Sequence, residues 1–311
     1  MSRAAPELRF DDRVAVITGA GRGLGRAYAL LLAARGARVV VNDNGCDVQG
    51  NGQDVSPADA VAQEIRAAGG EAVSCAESVA SAAGGKAIID SALDHYGRVD
   101  VLIHNAGNFC PAPLRQMTYE EFEGVLDVHL RGAFHVVRPA FPLMCDAGYG
   151  RIVLTSSIGG LYGNHKVANY GVAKAGMTGL CNVVALEGAA HNVKCNLISP
   201  GAVTRISAGF DTRGFPATMR PEVVAPTVGW LCHESCSITG EILISMAGRV
   251  ARAFLAESPG VFQEDWSIEK IAAEIDAIRK ADVPLSFAVV PDGHAEHIRY
   301  SFEMARRAGT T

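Results

Sequence analysis

The stretch Val14-Ala-Val-Ile-Thr18-Gly19-Ala20-Gly21-Arg22-Gly23-Leu24-Gly25 decides the fold. Its apolar first half reads as a buried strand, Val14–Thr18. Its second half reads as a glycine turn that opens a helix from about Leu24 to Ala34. A pyrophosphate needs this combination, because bare backbone amides at a helix N-terminus can approach it closely. The turn alone fits a plain tight turn equally well. Its surroundings favour the phosphate reading. A second apolar strand, Arg38–Asn42, ends beside Asp43, and Asp43 follows Gly25 by 18 residues. The dinucleotide-binding pattern asks for an acidic group roughly 20 residues on, to hold the adenosine ribose hydroxyls.

Outward from this unit, strand-length apolar runs alternate with helical patterns. Ser56-Pro57 starts a helix, with Ser56 as its cap and proline in its first turn. Further strands are expected at Ala72–Ala76, Val99–Asn105, Arg151–Ser156, Lys194–Ser199 and Ile242–Ser245. Continuous Val/Ile/Leu strands joined by helices predict an α/β fold, a doubly wound, Rossmann-like parallel sheet over residues 1–250. Asp43 to Val55 is a long polar loop. Beyond about Val250 the alternation stops, and residues 251–311 read as a helical C-terminal extension. There Ile268, Ile271, Ile275 and Ile278 follow Ser267, a helix cap, at helical spacing. One amphipathic helix forms no core alone. The extension is therefore expected to pack on the main domain or a partner subunit, covering the substrate entrance or a neighbouring chain.

With 49% hydrophobic and 20% charged residues among 311, the chain reads as a soluble globular protein and not a disordered one. Its strongest apolar run, Ala27–Ala34, lies between Arg26 and Arg35 and is too short to cross a bilayer, so no membrane partner is expected. Lys plus Arg number 28 against 33 Asp plus Glu, and a net charge of −5 argues against nucleic acid. The segment Met1 to Arg9 is charged where a signal peptide needs its apolar core. The eight cysteines then read as reduced thiols of a cytoplasmic protein. Cys232-His-Glu-Ser-Cys236 has no second ligand pair at zinc-like spacing, so no metal is expected and packing thiols are. His294 and His297 read as surface residues, and His165 as a possible lining of the substrate cleft.

A second pattern carries chemistry. In Tyr170-Gly-Val-Ala-Lys174 the phenol and the amine share one helix face. A lysine ammonium beside a phenol lowers its pKa from about 10 toward working pH and makes it a usable acid/base. Such a pair is common by chance. Ser157 gives it weight, since it stands at the end of a strand, 13 residues before Tyr170, where its hydroxyl can polarise a carbonyl.

Taken together, Thr18–Gly25, Asn105-Ala106-Gly107, Ser157, Tyr170-x-x-x-Lys174 and Pro200-Gly201 resemble the short-chain dehydrogenase/reductase family over about residues 10–248. The resemblance implies that Tyr170 transfers the hydroxyl proton and that Ser157 holds the carbonyl oxygen. Lys174 then binds the nicotinamide ribose and tunes Tyr170. It also implies that Gly19, Arg22, Gly23, Leu24, Gly25, Asp43, Asn105, Ala106 and Gly107 hold the cofactor, with Pro200, Gly201 and Val203 facing the nicotinamide. After the third strand the family often has an aspartate at the adenine. Glu77-Ser78 stands there instead, which leaves Ser78 as the candidate contact. The family's fourth catalytic position, commonly asparagine, is His129, read as a buried neutral relay in the helical stretch Val125–Val137. Arg205 replaces a common threonine, and Thr204 beside it is a candidate carboxamide contact.

A narrower resemblance rests on Val39-Val-Val-Asn-Asp43, His129-Leu-Arg-Gly132, Tyr162-Gly-Asn164 and Trp230-Leu-Cys-His-Glu-Ser-Cys236. These look like the (3R)-hydroxyacyl-CoA dehydrogenase unit of peroxisomal multifunctional enzymes of type 2. The sequence leaves no room for that enzyme's further units and does not end in a peroxisomal address, which points to a free-standing enzyme. The expectation is an NAD-dependent oxidoreductase, a homo-oligomer (dimer or tetramer), acting on a small molecule: a 3-hydroxyacyl-CoA or a hydroxysteroid. Two alternatives stand beside it: an NADPH-dependent 3-oxoacyl reductase, favoured by Arg22 and opposed by Asp43, and a non-catalytic dinucleotide sensor or scaffold.

Overall fold

A computed structural model describes residues 6–209 and 211–308 of the chain. Two compact units divide at Arg252 and Ala253. The first carries strands β1 (Val14–Thr18), β2 (Arg38–Asn42), β3 (Glu71–Cys75), β4 (Val101–His104), β5 (Gly150–Thr155), β6 (Val193–Gly201), β7 (Ile242–Met246) and β8 (Arg249–Ala253). Its helices are α1 (Gly23–Ala34), α2 (Ser56–Ala67), α3 (Ala82–Tyr96), α4 (Tyr119–Leu126), α5 (Gly132–Asp146), α6 (Ile158–Tyr162), α7 (Ala168–Gly188) and α8 (Pro221–Cys232).

The strands form one sheet in the order β3-β2-β1-β4-β5-β6-β7-β8, parallel from β3 through β7. The expected doubly wound α/β fold is what forms. Every residue of β1, β4 and β5 is buried, as strands covered on both faces must be. Each fully buried Val, Ile or Leu side chain there contributes about 1.5–3 kcal/mol. The order reverses between β1 and β4, so a crevice opens beyond their C-terminal ends.

Two local expectations need correcting. Ser56 does not cap α2: the cap position is Val55, and the Ser56 hydroxyl donates to Asp54 at 2.5 Å. The nearer acidic group out-competes the backbone amides, while Pro57 keeps its place in the first turn. A further strand, β8, continues past Val250, held in part by Arg252 on Glu241 at 3.1 Å. Its alternation of charged and small residues hid it from an apolar-run reading. The stretch Val125–Val137 is helical throughout as expected, with Asp127–Arg131 forming a π-turn between α4 and α5.

The second unit holds α9 (Ile268–Arg279) and α10 (Gly293–Ala308). Ser267 caps α9 as expected, accepting from the Lys270 amide at 3.2 Å. Glu257 and Leu285 exchange backbone hydrogen bonds at 2.9 Å, and Ser258 donates to the last-turn carbonyl of Ile278. The isoleucine stripe is present: Ile268 is 85% exposed, Ile271 and Ile275 are each 42% exposed, and Ile278 is half-buried. His294 and His297 are exposed, His297 resting on Glu257 at 3.1 Å.

Candidate active site

Thr18 and His104 stand level at the ends of β1 and β4. Just beyond them Gly19 has φ +64°, and a Cβ there would lie 2.7 Å from Ala106 Cα. Only glycine lets the turn rest against the loop after β4. Asn105 ties the two together: its side-chain amide donates to the carbonyls of Thr18 at 3.3 Å and Gly19 at 3.0 Å. The backbone amides of Asn105 and Ala106 both donate to the Thr18 hydroxyl at 3.1 Å.

These residues wall one cleft. Gly19, Arg22, Gly23 and Leu24 line it from the turn, Asp43 from the end of β2 and Ser78 from beyond β3. Asn105, Ala106 and Gly107 line it from beyond β4. Gly25 is buried beneath the turn. The Asp43 carboxylate accepts from the Gly21 amide at 2.9 Å and the Gly45 amide at 2.8 Å. Two backbone amides thus fix it, and a carboxylate keeps further lone pairs for hydroxyl donors. Pro200, Gly201 and Val203 are not among the lining residues; Thr204, Arg205 and Ile206 are. Arg205 crosses to the loop after β2 and donates to the Cys46 carbonyl at 2.7 Å. No local signal announces a pairing so distant in sequence. A turn that only glycine can form, next to a fixed carboxylate, fits a dinucleotide.

Ser157 lies two residues past β5 and caps α6, its Oγ accepting from the Gly159 amide at 3.1 Å. Tyr170 and Lys174 sit one turn apart on α7. Burial pushes the Tyr170 phenol up, and a hydrogen bond with Ser157 pulls it part of the way back. The Lys174 Nζ donates to the Thr155 carbonyl at 2.6 Å and lies 5.6 Å from the centre of the Tyr170 ring. Burial lowers this amine to about 7. The spacing argument expects the ammonium to draw the phenol down. In this structure Ser157 draws the phenol part of the way down, and Lys174, one turn along, is held by the Thr155 carbonyl at the end of β5.

His129 sits in the π-turn and is 2% exposed. Its ring meets Tyr170 edge to face at 5.3 Å, and Phe109 makes the same kind of contact with Tyr170 at 5.5 Å. A Cβ at Gly107 would run into the His129 ring, so the glycine makes room for the histidine. Its Nε2 lies 2.8 Å from the Asn108 carbonyl and 3.2 Å from the Asn108 amide. Among the described residues its buried Nδ1 has no hydrogen-bond partner. Phe134, an apolar neighbour in the same helical stretch, is 53% exposed. His165 is exposed. His233, between Cys232 and Cys236, is spent on the Ser235 hydroxyl at 2.8 Å and the Arg9 carbonyl at 3.1 Å.

The sequence pattern of the family described as short chain dehydrogenase matches residues 13–210. The chain belongs to that family. Short-chain dehydrogenases are oxidoreductases that work with nicotinamide dinucleotides, so this chain is an enzyme of that class. The peroxisomal multifunctional enzyme type 2 of Drosophila melanogaster is 45% identical over 260 residues, covering 84% of this chain and 43% of that protein. The structure of that full-length enzyme superposes with a TM-score of 0.79 at 35% identity, over 96% of this chain and 50% of that one. The chain thus spans half or less of that relative's length. A 7α-hydroxysteroid dehydrogenase bound to NADH and 7-oxo glycochenodeoxycholic acid superposes at 0.70 with 29% identity, over 77% of this chain and 95% of that one. Among the described residues, no helix of this short-chain dehydrogenase is long and apolar enough to cross a membrane.

Proposed function

We propose that this enzyme uses NAD to interconvert a secondary alcohol and a ketone on a 3-hydroxyacyl-CoA or a hydroxysteroid. The observation that carries the reading is the placement of Tyr170 and Lys174 one turn apart on α7. Lys174 Nζ is held by the Thr155 carbonyl beside Ser157, and Tyr170 is packed on His129, which abuts Gly107 of the glycine-turn cleft. In oxidation, Tyr170 Oη as phenolate takes the proton from the alcohol. Ser157 Oγ and the re-protonated Tyr170 then donate to the new carbonyl oxygen, where negative charge concentrates. A bound nicotinamide would supply the acceptor for the hydride that leaves the carbinol carbon. Lys174 offers its charge to the phenolate and a donor to a ribose hydroxyl. The turn residues Gly19–Gly25 (Arg22 and Leu24 included), with Ser78, Asn105, Ala106 and Gly107, would hold the rest of the cofactor, and Pro200, Gly201 and Val203 its nicotinamide end. A purely non-catalytic dinucleotide sensor has no use for the serine–tyrosine pair.

Initial rates with NAD and NADP against a panel of 3-hydroxyacyl-CoAs and hydroxysteroids test the assignment. Rates confined to other alcohol classes would overturn it. The eight cysteines are all free thiols, which fits a reducing compartment such as the cytoplasm. Exposed apolar side chains on α9 favour a homo-oligomer, dimer or tetramer.

Asp43 decides the cofactor in this reading, because its carboxylate would repel a 2′-phosphate at close range. Arg22, in the same cleft, supports the NADPH-dependent 3-oxoacyl reductase alternative. Asp43→Asn keeps an acceptor for the Gly45 amide and removes the charge. It should raise the KM for NAD by about tenfold or more, the value of one charged hydrogen bond, and improve NADP. A wild-type enzyme that already prefers NADP would refute the role given to Asp43.

His129 is assigned as a relay or positioning group beside Tyr170. Burial, with Lys174 nearby, holds its imidazole well below the usual histidine range, so it is neutral at pH 7. His129→Asn should keep much of the activity. His129→Leu should slow turnover more than it lowers the melting temperature; a folded Leu variant with normal turnover leaves only packing.

A further inference from the structure

His104 ends β4 fully buried, at the reversal point of the sheet. Its Nδ1 lies 3.1 Å from the Thr18 hydroxyl, and its Nε2 lies 2.9 Å from the His129 carbonyl. A threonine hydroxyl has one proton and two lone pairs. Both lone pairs of Thr18 are engaged, by the amides of Asn105 and Ala106 at 3.1 Å. The Thr18 proton therefore goes to His104 Nδ1. That leaves the hydrogen of the imidazole on Nε2, where it donates to the His129 carbonyl. The tautomer is settled by hydrogen-bond accounting alone. A lowered pKa of about 3, caused first by burial and then by Lys174, agrees with a neutral ring.

The carbonyl it holds is an unusual one. His129 lies in the π-turn Asp127–Arg131, where the regular helical ladder is interrupted. A side chain from β4 donates to that carbonyl, which also accepts from the Gly132 amide at the start of α5. The His129 ring projects from that same residue against Tyr170. We propose that His104 is a positioning residue for the dehydrogenase reaction: it anchors the His129 carbonyl, and so the His129–Tyr170 contact, to Thr18 beneath the glycine turn. The proposal rests on the dehydrogenase reading above and adds to it a link between the cofactor turn and the catalytic tyrosine. Asn105 still stitches the turn to β4 when His104 is changed, so cofactor binding and turnover should separate.

Two variants test this, with turnover, NADH affinity by fluorescence titration and melting temperature measured on each. His104→Leu removes both hydrogen bonds. It should lower kcat at least tenfold while the NADH dissociation constant stays within about threefold. His104→Gln keeps an amide donor at the position of Nε2 and should recover turnover to within about threefold of wild type, even if it melts earlier. If the Leu variant does not fold, His104→Phe keeps the volume of the ring and reads the same loss. The proposal is overturned by a folded Leu or Phe variant with wild-type kcat, by a Gln variant as slow as Leu, or by losses seen only in NADH affinity. A wild-type chain without alcohol-oxidising activity would instead overturn the dehydrogenase reading itself.

Discussion

Tyr170→Phe should lower turnover by at least the 10²–10⁴-fold that a lost acid/base typically costs, and leave NAD binding nearly intact. The ring is clasped edge to face by His129 at 5.3 Å and by Phe109 at 5.5 Å, and phenylalanine preserves both contacts. Only the hydroxyl that meets Ser157 is lost. The fold is therefore expected to survive unchanged. The wild-type enzyme adds a check on sign. Burial raises the phenol above its ordinary value, so the phenolate required for alcohol oxidation grows with pH across the alkaline range. Oxidation should accelerate as pH rises and ketone reduction should slow. Near-normal turnover in the Phe variant, or an oxidation rate that falls with rising pH, would remove Tyr170 as the proton acceptor.

How far the sequence reaches is visible residue by residue. Val14–Thr18 and Arg38–Asn42 are read to the residue, because a strand covered on both faces must be apolar throughout. The glycine turn and Asp43 are legible for a related reason: chain geometry ties the turn to a carboxylate at a fixed distance along one βαβ unit. What the sequence hides is set by long-range pairing. His104 lies in an apolar strand, and nothing local says that its ring bridges Thr18 and a carbonyl 25 residues further on. Arg205 on Cys46 and the π-turn at His129 are invisible for the same reason. Ser56 failed as a cap because Asp54, two residues earlier, offers a charged acceptor that a capping rule does not weigh. The Tyr170–Lys174 spacing shows that both groups share a face but not how each is solvated. Burial, which the spacing does not show, raises the phenol and lowers the amine to about 7.

That amine gives the other large effect, with opposite signs for stability and activity. Lys174 is 2% exposed, and burial lowers it from 10.5 to about 7. The unfolded chain holds the lysine proton up to its ordinary value, whereas the folded chain releases it near 7. Between those values the unfolded state binds more protons, so stability rises with pH through the window and the penalty is full below about 7. At 1.36 kcal/mol per unit the full penalty is on the order of 5 kcal/mol. Against it stands the hydrogen bond from Nζ to the Thr155 carbonyl, a charge-assisted bond of about 1.5–3 kcal/mol. Lys174→Met removes both and fills the same space with an apolar chain. The expected balance at pH 7 is a gain on the order of 2 kcal/mol, or roughly 4–8 °C in Tm for a domain of this size. Turnover should nevertheless fall by about 10² or more, since no cation remains to stabilise the Tyr170 phenolate. The gain should shrink as the pH approaches 10.5, where the unfolded lysine also gives up its proton. Melting curves of the two proteins at pH 7 and pH 10 decide the matter. A Met variant that melts below wild type at pH 7, or an advantage that does not narrow with pH, would mean that the buried amine stabilises the fold.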